Sequence, residues 1–131
     1  ISVWMIHAHP FQNVYFNVLA GREVKTKFDV DYWGLSSRQA LQYIVDHDNR
    51  SIITVWAGSF LPLKNGTLLL APDDRERLTV VNMQDSADYI VTQYRQNLTD
   101  YSAIGIPYKT FYQINVDDEA IISVFKRESR D

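Results

Sequence analysis

Five consecutive residues, Ile52-Ile53-Thr54-Val55-Trp56, constrain this chain more than any other stretch. They are β-branched or aromatic and nearly continuous in apolar character, the pattern of a strand buried on both faces rather than wetted on one. Such a strand belongs inside a sheet that other elements cover. The preceding residues supply a cover. Ala40, Leu41, Ile44 and Val45 fall on one face of a helical repeat. Ser36 is expected as its N-cap, with Gln39 three residues on completing a capping box and Leu35 packing against Ala40. The polar cluster from Asp46 to Asn49 ends the period.

After Ala57-Gly58 the chain is undecided up to Leu70. Pro62 and Gly66 weaken a long helix, yet Phe60, Leu63, Thr67 and Leu70 would line one face. Pro72 and the charged run Asp73 to Arg77 are expected to form a loop. Leu78 to Val81 and Tyr89 to Thr92 read as the second and third strands. The link between them is too short for a helical crossover, which leaves a direct antiparallel step or a short extended crossover. Lys109 to Val116 and Ala120 to Lys126 then form a hairpin around Asp117-Asp118-Glu119, with Tyr112, Ile114 and Val116 facing inward and Phe111, Gln113 and Asn115 outward. The fold class is therefore α/β: a mixed sheet with helices packed on it and a C-terminal antiparallel hairpin.

At 131 residues the chain fits one domain and can bury roughly two-thirds of its unfolded surface. A net charge of −3 with scattered basic residues gives no electrostatic footprint for nucleic acid, so no nucleic-acid partner is expected. The absence of cysteine excludes disulfides, thiolate catalysis and Cys-ligated zinc. Three Trp, eight Tyr and six Phe make a heavy aromatic load for this size, suited to the core and its rim or to an interface. The first residues are rich in the same side chains. From Phe11, the residues Phe11, Val14, Tyr15, Val18 and Leu19 form an amphipathic helical stripe that Gly21 stops.

Chemistry has few candidates. Asp29-Val30-Asp31 has the Asp-x-Asp spacing with which carboxylates hold Mg²⁺ or Mn²⁺ on a sugar diphosphate, but the pattern is short and no nucleotide-binding half precedes it. The competing reading of Asp29 to Ser36 is a structural junction at the start of the first helix. His7 and His9 would fall on one side if their segment is extended, without a third ligand at metal spacing. No Gly-rich phosphate loop, Gly-x-Ser-x-Gly elbow or His-Glu-x-x-His occurs, and no cofactor is expected. From the residues alone this is an α/β domain without a visible catalytic constellation.

A resemblance narrows the choice. The run His9-Pro10-Phe11-Gln12-Asn13-Val14-Tyr15-Phe16-Asn17, then Gly21, then Asp31-Tyr32-Trp33-Gly34, resembles the segment that follows the last membrane span of some bacterial GT-C-type multi-spanning glycosyltransferases. These are similar to the dolichyl-phosphate-mannose protein mannosyltransferases. The helix with Arg38, Ala40 and Leu41, the triplet Ala87-Asp88-Tyr89 and the closing Val124-Phe125-Lys126-Arg127 also resemble that family, and Arg22 departs from it where a second glycine is common.

The resemblance implies a membrane-proximal segment over 1–21, with Ile1 to Ile6 as the stub of a final membrane span, and a single α/β domain over 22–131. It implies a parent enzyme that transfers a sugar from a polyprenyl-phosphate donor to an acceptor outside the cytoplasm. Its catalytic acid lies in a loop that this chain lacks. The domain would sit on the extracytoplasmic (periplasmic) side of the cell membrane, inert alone, against the transmembrane portion of its own polypeptide. Tyr15, Asp31, Tyr32 and Trp33 are then the candidate substrate-binding or membrane-facing residues. The alternatives are a stand-alone sugar-phosphate enzyme using Asp29 and Asp31 with a metal, and an interaction module without chemistry.

Overall fold

A computed structural model describes residues 35–59, 61–94, 99–103, 107–116 and 118–128, together with Val3 and Ile6. It shows helices on a five-stranded mixed sheet with an antiparallel C-terminal strand pair. In chain order the elements are α1 (Leu35–His47), β1 (Ile53–Ala57), α2 (Leu63–Thr67), α3 (Pro72–Arg77), β2 (Leu78–Val80), a 3₁₀ turn (Gln84–Ser86), β3 (Tyr89–Thr92), β4 (Tyr108–Val116) and β5 (Glu119–Arg127). The strand order is β2-β1-β3-β5-β4. β1 runs parallel to both neighbours, whereas β5 pairs antiparallel with β3 and β4.

The short link between β2 and β3 is the extended crossover. Parallel neighbours ordinarily need a dozen or more residues to return along the sheet. Here β2 pairs with the first part of β1, Ile53 to Val55, and β3 with the last part, Val55 to Ala57. Because the two are staggered, residues 81–88 have to cross β1 but not travel back along it. Val81 N–H bonds to Val55 O at 2.9 Å and Asp88 N–H to Thr54 O at 3.0 Å, so the crossing begins and ends at one level of β1.

Strand alternation divides the core in two. On one face, Ile53, Val55, Tyr89, Val91, Ile122 and Val124 pack under Ala40, Leu41, Ile44 and Val45 of α1. Each fully buried aliphatic side chain there contributes about 1.5–3 kcal/mol. On the other face a smaller cluster joins Ile90, Tyr101, Tyr108 and Phe125, with Trp56 partly buried against it. The second face of β1 is thus only partly covered, and Ile52 lies outside the strand with 68% of its surface exposed.

Four sequence expectations are corrected. Residues 72–77 are helical, not a loop: Pro72 occupies the first turn, Asp73 and Asp74 follow it, and Arg75 and Arg77 end the helix, all in the sense the helix dipole favours. Helix α1 already includes Leu35, which puts Ser36 inside the first turn. Gln39 Nε2 donates instead to Tyr112 Oη at 3.2 Å, toward the sheet. Finally, a register shift between Thr110 and Tyr112 turns Phe111 to the helix side beside Tyr112, where strict alternation would have sent it outward. Tyr43 of α1 stacks on Tyr112 at 4.0 Å and meets Phe111 edge-on at 5.5 Å. The hairpin is also tighter than expected, since Val116 pairs with Glu119, and Asp118 between them takes φ 65°.

Candidate functional site

The densest group of charged side chains lies where α1 ends and the parallel strands begin. Asp48 follows α1, Arg50 precedes β1, Arg77 precedes β2 and Asp88 precedes β3. Although only 6% of Asp48 is exposed, its carboxylate is fully engaged. Oδ1 accepts Arg50 N–H at 3.1 Å and Arg50 Nε at 3.0 Å; Oδ2 accepts Arg50 Nη2 at 2.7 Å and Tyr89 Oη at 2.8 Å. Arg50 Nη1 reaches on to Asp88 Oδ1 at 3.1 Å. Asp88 Oδ2 in turn accepts the N–H and hydroxyl of Thr54 at 3.0 and 2.7 Å.

Arg77 completes the arrangement from below the helix. Its guanidinium donates to the carbonyls of Val45, in the last turn of α1, and of Asp48 and Arg50 just beyond it. Residues far apart in sequence are tied into one junction.

The electrostatics match that geometry. Arg50 hydrogen bonds hold the Asp48 carboxyl well below the usual carboxylate range, outweighing its burial. Burial pushes Asp88 up, but the Thr54 and Arg50 bonds outweigh it and leave it lowered. Burial, then the bond to Asp48, pushes the Tyr89 phenol up, and Asp48 raises Arg50. Each group is therefore locked in its ordinary charge state at neutral pH. A general acid or base needs the reverse, a pKa brought toward the working pH.

Position argues the same way. Open α/β sheets bind ligands beyond the carboxyl ends of their parallel strands, and this network sits at the amino ends. At the carboxyl ends, Tyr101 packs against Trp56 and Phe125 and donates its hydroxyl to Gly58 O at 3.1 Å. A side chain at Gly58 would come within 2.8 Å of Ile90 and 2.9 Å of Tyr101, so glycine permits that close packing. Beyond β3, Tyr94 adopts φ 63° and bonds its hydroxyl to Ser123 Oγ at 2.5 Å, while Gln113 Nε2 donates to the same Oγ at 2.8 Å. Burial raises the Tyr94 phenol. Among the described residues, these contacts pack the carboxyl ends of β1 and β3.

Of the residues singled out from sequence, Tyr15, Asp29, Asp31, Tyr32, Trp33, His7 and His9 lie outside the described residues. His47 ends α1, where Nδ1 donates to Tyr43 O at 2.8 Å and the ring stacks on Tyr43 at 3.8 Å. Among the described residues no group of three or more His, Cys, Asp or Glu could hold a metal ion, and no helix is long and apolar enough to cross a membrane. Nothing in the sequence analysis assembles the network of Asp48, Arg50, Arg77 and Asp88; its one sequence signal is a charged residue before each of the three parallel strands.

Fold and site together define a mixed-sheet α/β domain with a structural polar junction. No protein-family model, curated protein or solved structure matches the chain.

Proposed function

We propose that the chain is the extracytoplasmic C-terminal domain of a GT-C-type membrane glycosyltransferase that takes its sugar from a polyprenyl-phosphate donor. The domain is non-catalytic on its own and lies against the transmembrane portion of the same polypeptide, aiding substrate binding there. The observation that carries this reading is the His9 to Gly21 run followed by Asp31-Tyr32-Trp33-Gly34.

Two structural facts support it. The charged group of Asp48, Arg50, Arg77 and Asp88 is engaged in holding the fold, as in a domain without its own chemistry. The stretches that resemble the family's tail also have packing reasons to exist. Ala87, Tyr89, Val124 and Phe125 are buried, and Asp88 anchors Thr54 and Arg50.

The parent reading frame upstream of Ile1 tests the proposal. Several apolar spans of about 20 residues each are expected there. A reading frame without them overturns it.

A further inference from the structure

Strand β4 is nine residues long and lies at the edge of the sheet, with no strand on its outer side among the described residues. The other edge, β2, has three residues. Short edges protect a sheet against unwanted pairing, whereas a long one is ordinarily covered. The helix side of β4 also stops abruptly. Ile114 is buried, but Phe111 and Tyr112 are only half-buried, although both pack against the main core. On the other side Thr110, Gln113 and Asn115 are exposed. A strand that fits this edge has one apolar face and one polar face.

Residues 24–32 have that pattern. Val24, Thr26, Phe28, Val30 and Tyr32 alternate with Lys25, Lys27, Asp29 and Asp31. The first set is entirely β-branched or aromatic and the second entirely charged, the signature of a strand covered on one side. Of the chain outside the described residues, only 7–34 is long enough to match β4.

Connectivity selects this edge. Gln39 of α1 bonds to Tyr112, Tyr43 meets Tyr112 and Phe111, and His47 meets Phe111. The helix therefore runs opposite to β4 and starts toward its Val116 end. A strand leading into α1 ends there, and so runs parallel to β4 and β1. Trp33 and Gly34 make the link, and two residues suffice for a strand-to-helix turn.

Handedness separates the two edges. β1 leads to β2 through α2 and α3, on the same side of the sheet as α1: Leu63 of α2 shares its core, and Gln42 bonds to Asp74 of α3 at 3.2 Å. A strand at the β4 edge, passing through α1 to β1, crosses the sheet in the same direction on that same side. Both crossovers then have one hand, and about 98% of such crossovers are right-handed. At the β2 edge their hands would be opposite.

We infer that residues 24–32 form a sixth strand, parallel to β4 on its outer side. Phe28, Val30 and Tyr32 extend the apolar face under α1, and Lys25, Lys27, Asp29 and Asp31 lie on the open face with Gln113 and Asn115. The Asp-x-Asp spacing is then the charged side of a strand, and Asp31 and Tyr32 belong to opposite faces of the sheet. The inference goes beyond the function proposed above and does not depend on it.

The chain has no cysteine, so one nitroxide can be placed at Thr110→Cys, in the part of β4 far from the start of α1, and as a control at Thr79→Cys on β2. Strands lie about 4.8 Å apart, which puts the sixth strand about 5 Å from β4 and about 24 Å from β2. In the ¹⁵N-labelled 131-residue chain, the nitroxide at Thr110→Cys should erase the amide signals of Val24 to Phe28, and that at Thr79→Cys should leave most of their intensity. Adding Phe28→Asp or Val30→Pro should restore the signals about fivefold or more with the β1 signals in place, whereas Asp29→Asn should not restore them. Intact Val24 to Phe28 signals beside the Thr110→Cys nitroxide overturn the inference. So does their loss beside the Thr79→Cys nitroxide, which assigns the strand to the other edge. Loss in a labelled chain mixed with an unlabelled nitroxide-bearing one also overturns it, and assigns the β4 edge to a second copy.

Discussion

The two ends of α1 invert the usual placement of charge and hydrocarbon. At its C-terminal end a carboxylate is buried and four charged residues converge; at its N-terminal end two leucines, Leu68 and Leu69 of the turn after α2, stand in the open. The helix has 13 residues, so the two regions are separated by about 20 Å along it. The difference lies in what each region must satisfy. The buried end joins α1 to the starts of three strands, and its charges are inside because they close the backbone carbonyls and one another. At the exposed end Arg38 and Arg75 already close the carbonyls of Leu68 to Leu70, which leaves the leucine side chains without an internal task.

The strongest way to break that comparison is to remove the carboxylate. Asp48→Ala leaves the Tyr89 hydroxyl and Arg50 without their shared partner, and should lower unfolding free energy by about 3 kcal/mol in urea titration. The half-exposed Arg50, which water can partly resolvate, keeps the loss at the low end for a broken buried pair. A loss below about 1 kcal/mol would put the network among ordinary surface ion pairs and end its claim to organise the fold.

Acid should act on the same groups. Asp48 and Asp88 are held lower in the folded chain than in the unfolded one. Below about pH 4, where unfolded carboxylates begin to take protons, the unfolded state therefore binds more of them. The stabilisation from these two residues is present above that pH and falls as pH drops through their lowered folded values. Urea midpoints measured from pH 6 down to pH 2 should show this fall, and Asp48→Asn should flatten it. An unchanged slope in Asp48→Asn would assign the acid sensitivity elsewhere.

How much of this was legible in the sequence depended on range. Elements specified locally could be read: the face of Ala40, Leu41, Ile44 and Val45, the β1 run, and the hairpin. Leu63, Thr67 and Leu70 also share a buried side, as their spacing suggested. Residues 72–77 depart from the loop expectation because high charge does not exclude a helix: Pro72, the following aspartates and the closing arginines are ordered as helix ends require. Phe111 failed because a bulge is set by strand pairing, which no spacing within β4 reveals. The Asp48 network was illegible beyond its local Asp48–Arg50 pair for the same reason, since Arg77, Asp88 and Tyr89 join it only once the strand order is set. The sequence-based site candidates before residue 35 belong to a part of the chain outside the described residues.

A finer cut separates the phenol from the ion pair. Tyr89→Phe keeps the ring packed and the Asp48–Arg50 contact intact, removing only the 2.8 Å bond to Oδ2. It should cost about 1 kcal/mol, the net worth of one such bond. A cost near that of Asp48→Ala would mean that Tyr89 rather than Arg50 is the partner that matters.

The smallest effect is expected at the other end of α1. Leu68→Ser/Leu69→Ser removes hydrocarbon already in water and leaves the carbonyl bonds from Arg38 and Arg75 in place. Urea unfolding should therefore change by no more than about 0.5 kcal/mol, as for surface substitutions generally. The contrast with Asp48→Ala is the point: a buried charge carries stability, whereas an exposed apolar pair carries none of it. If the serine pair unfolds the domain by 2 kcal/mol or more, the leucines belong to the core and the division between the two ends of α1 disappears.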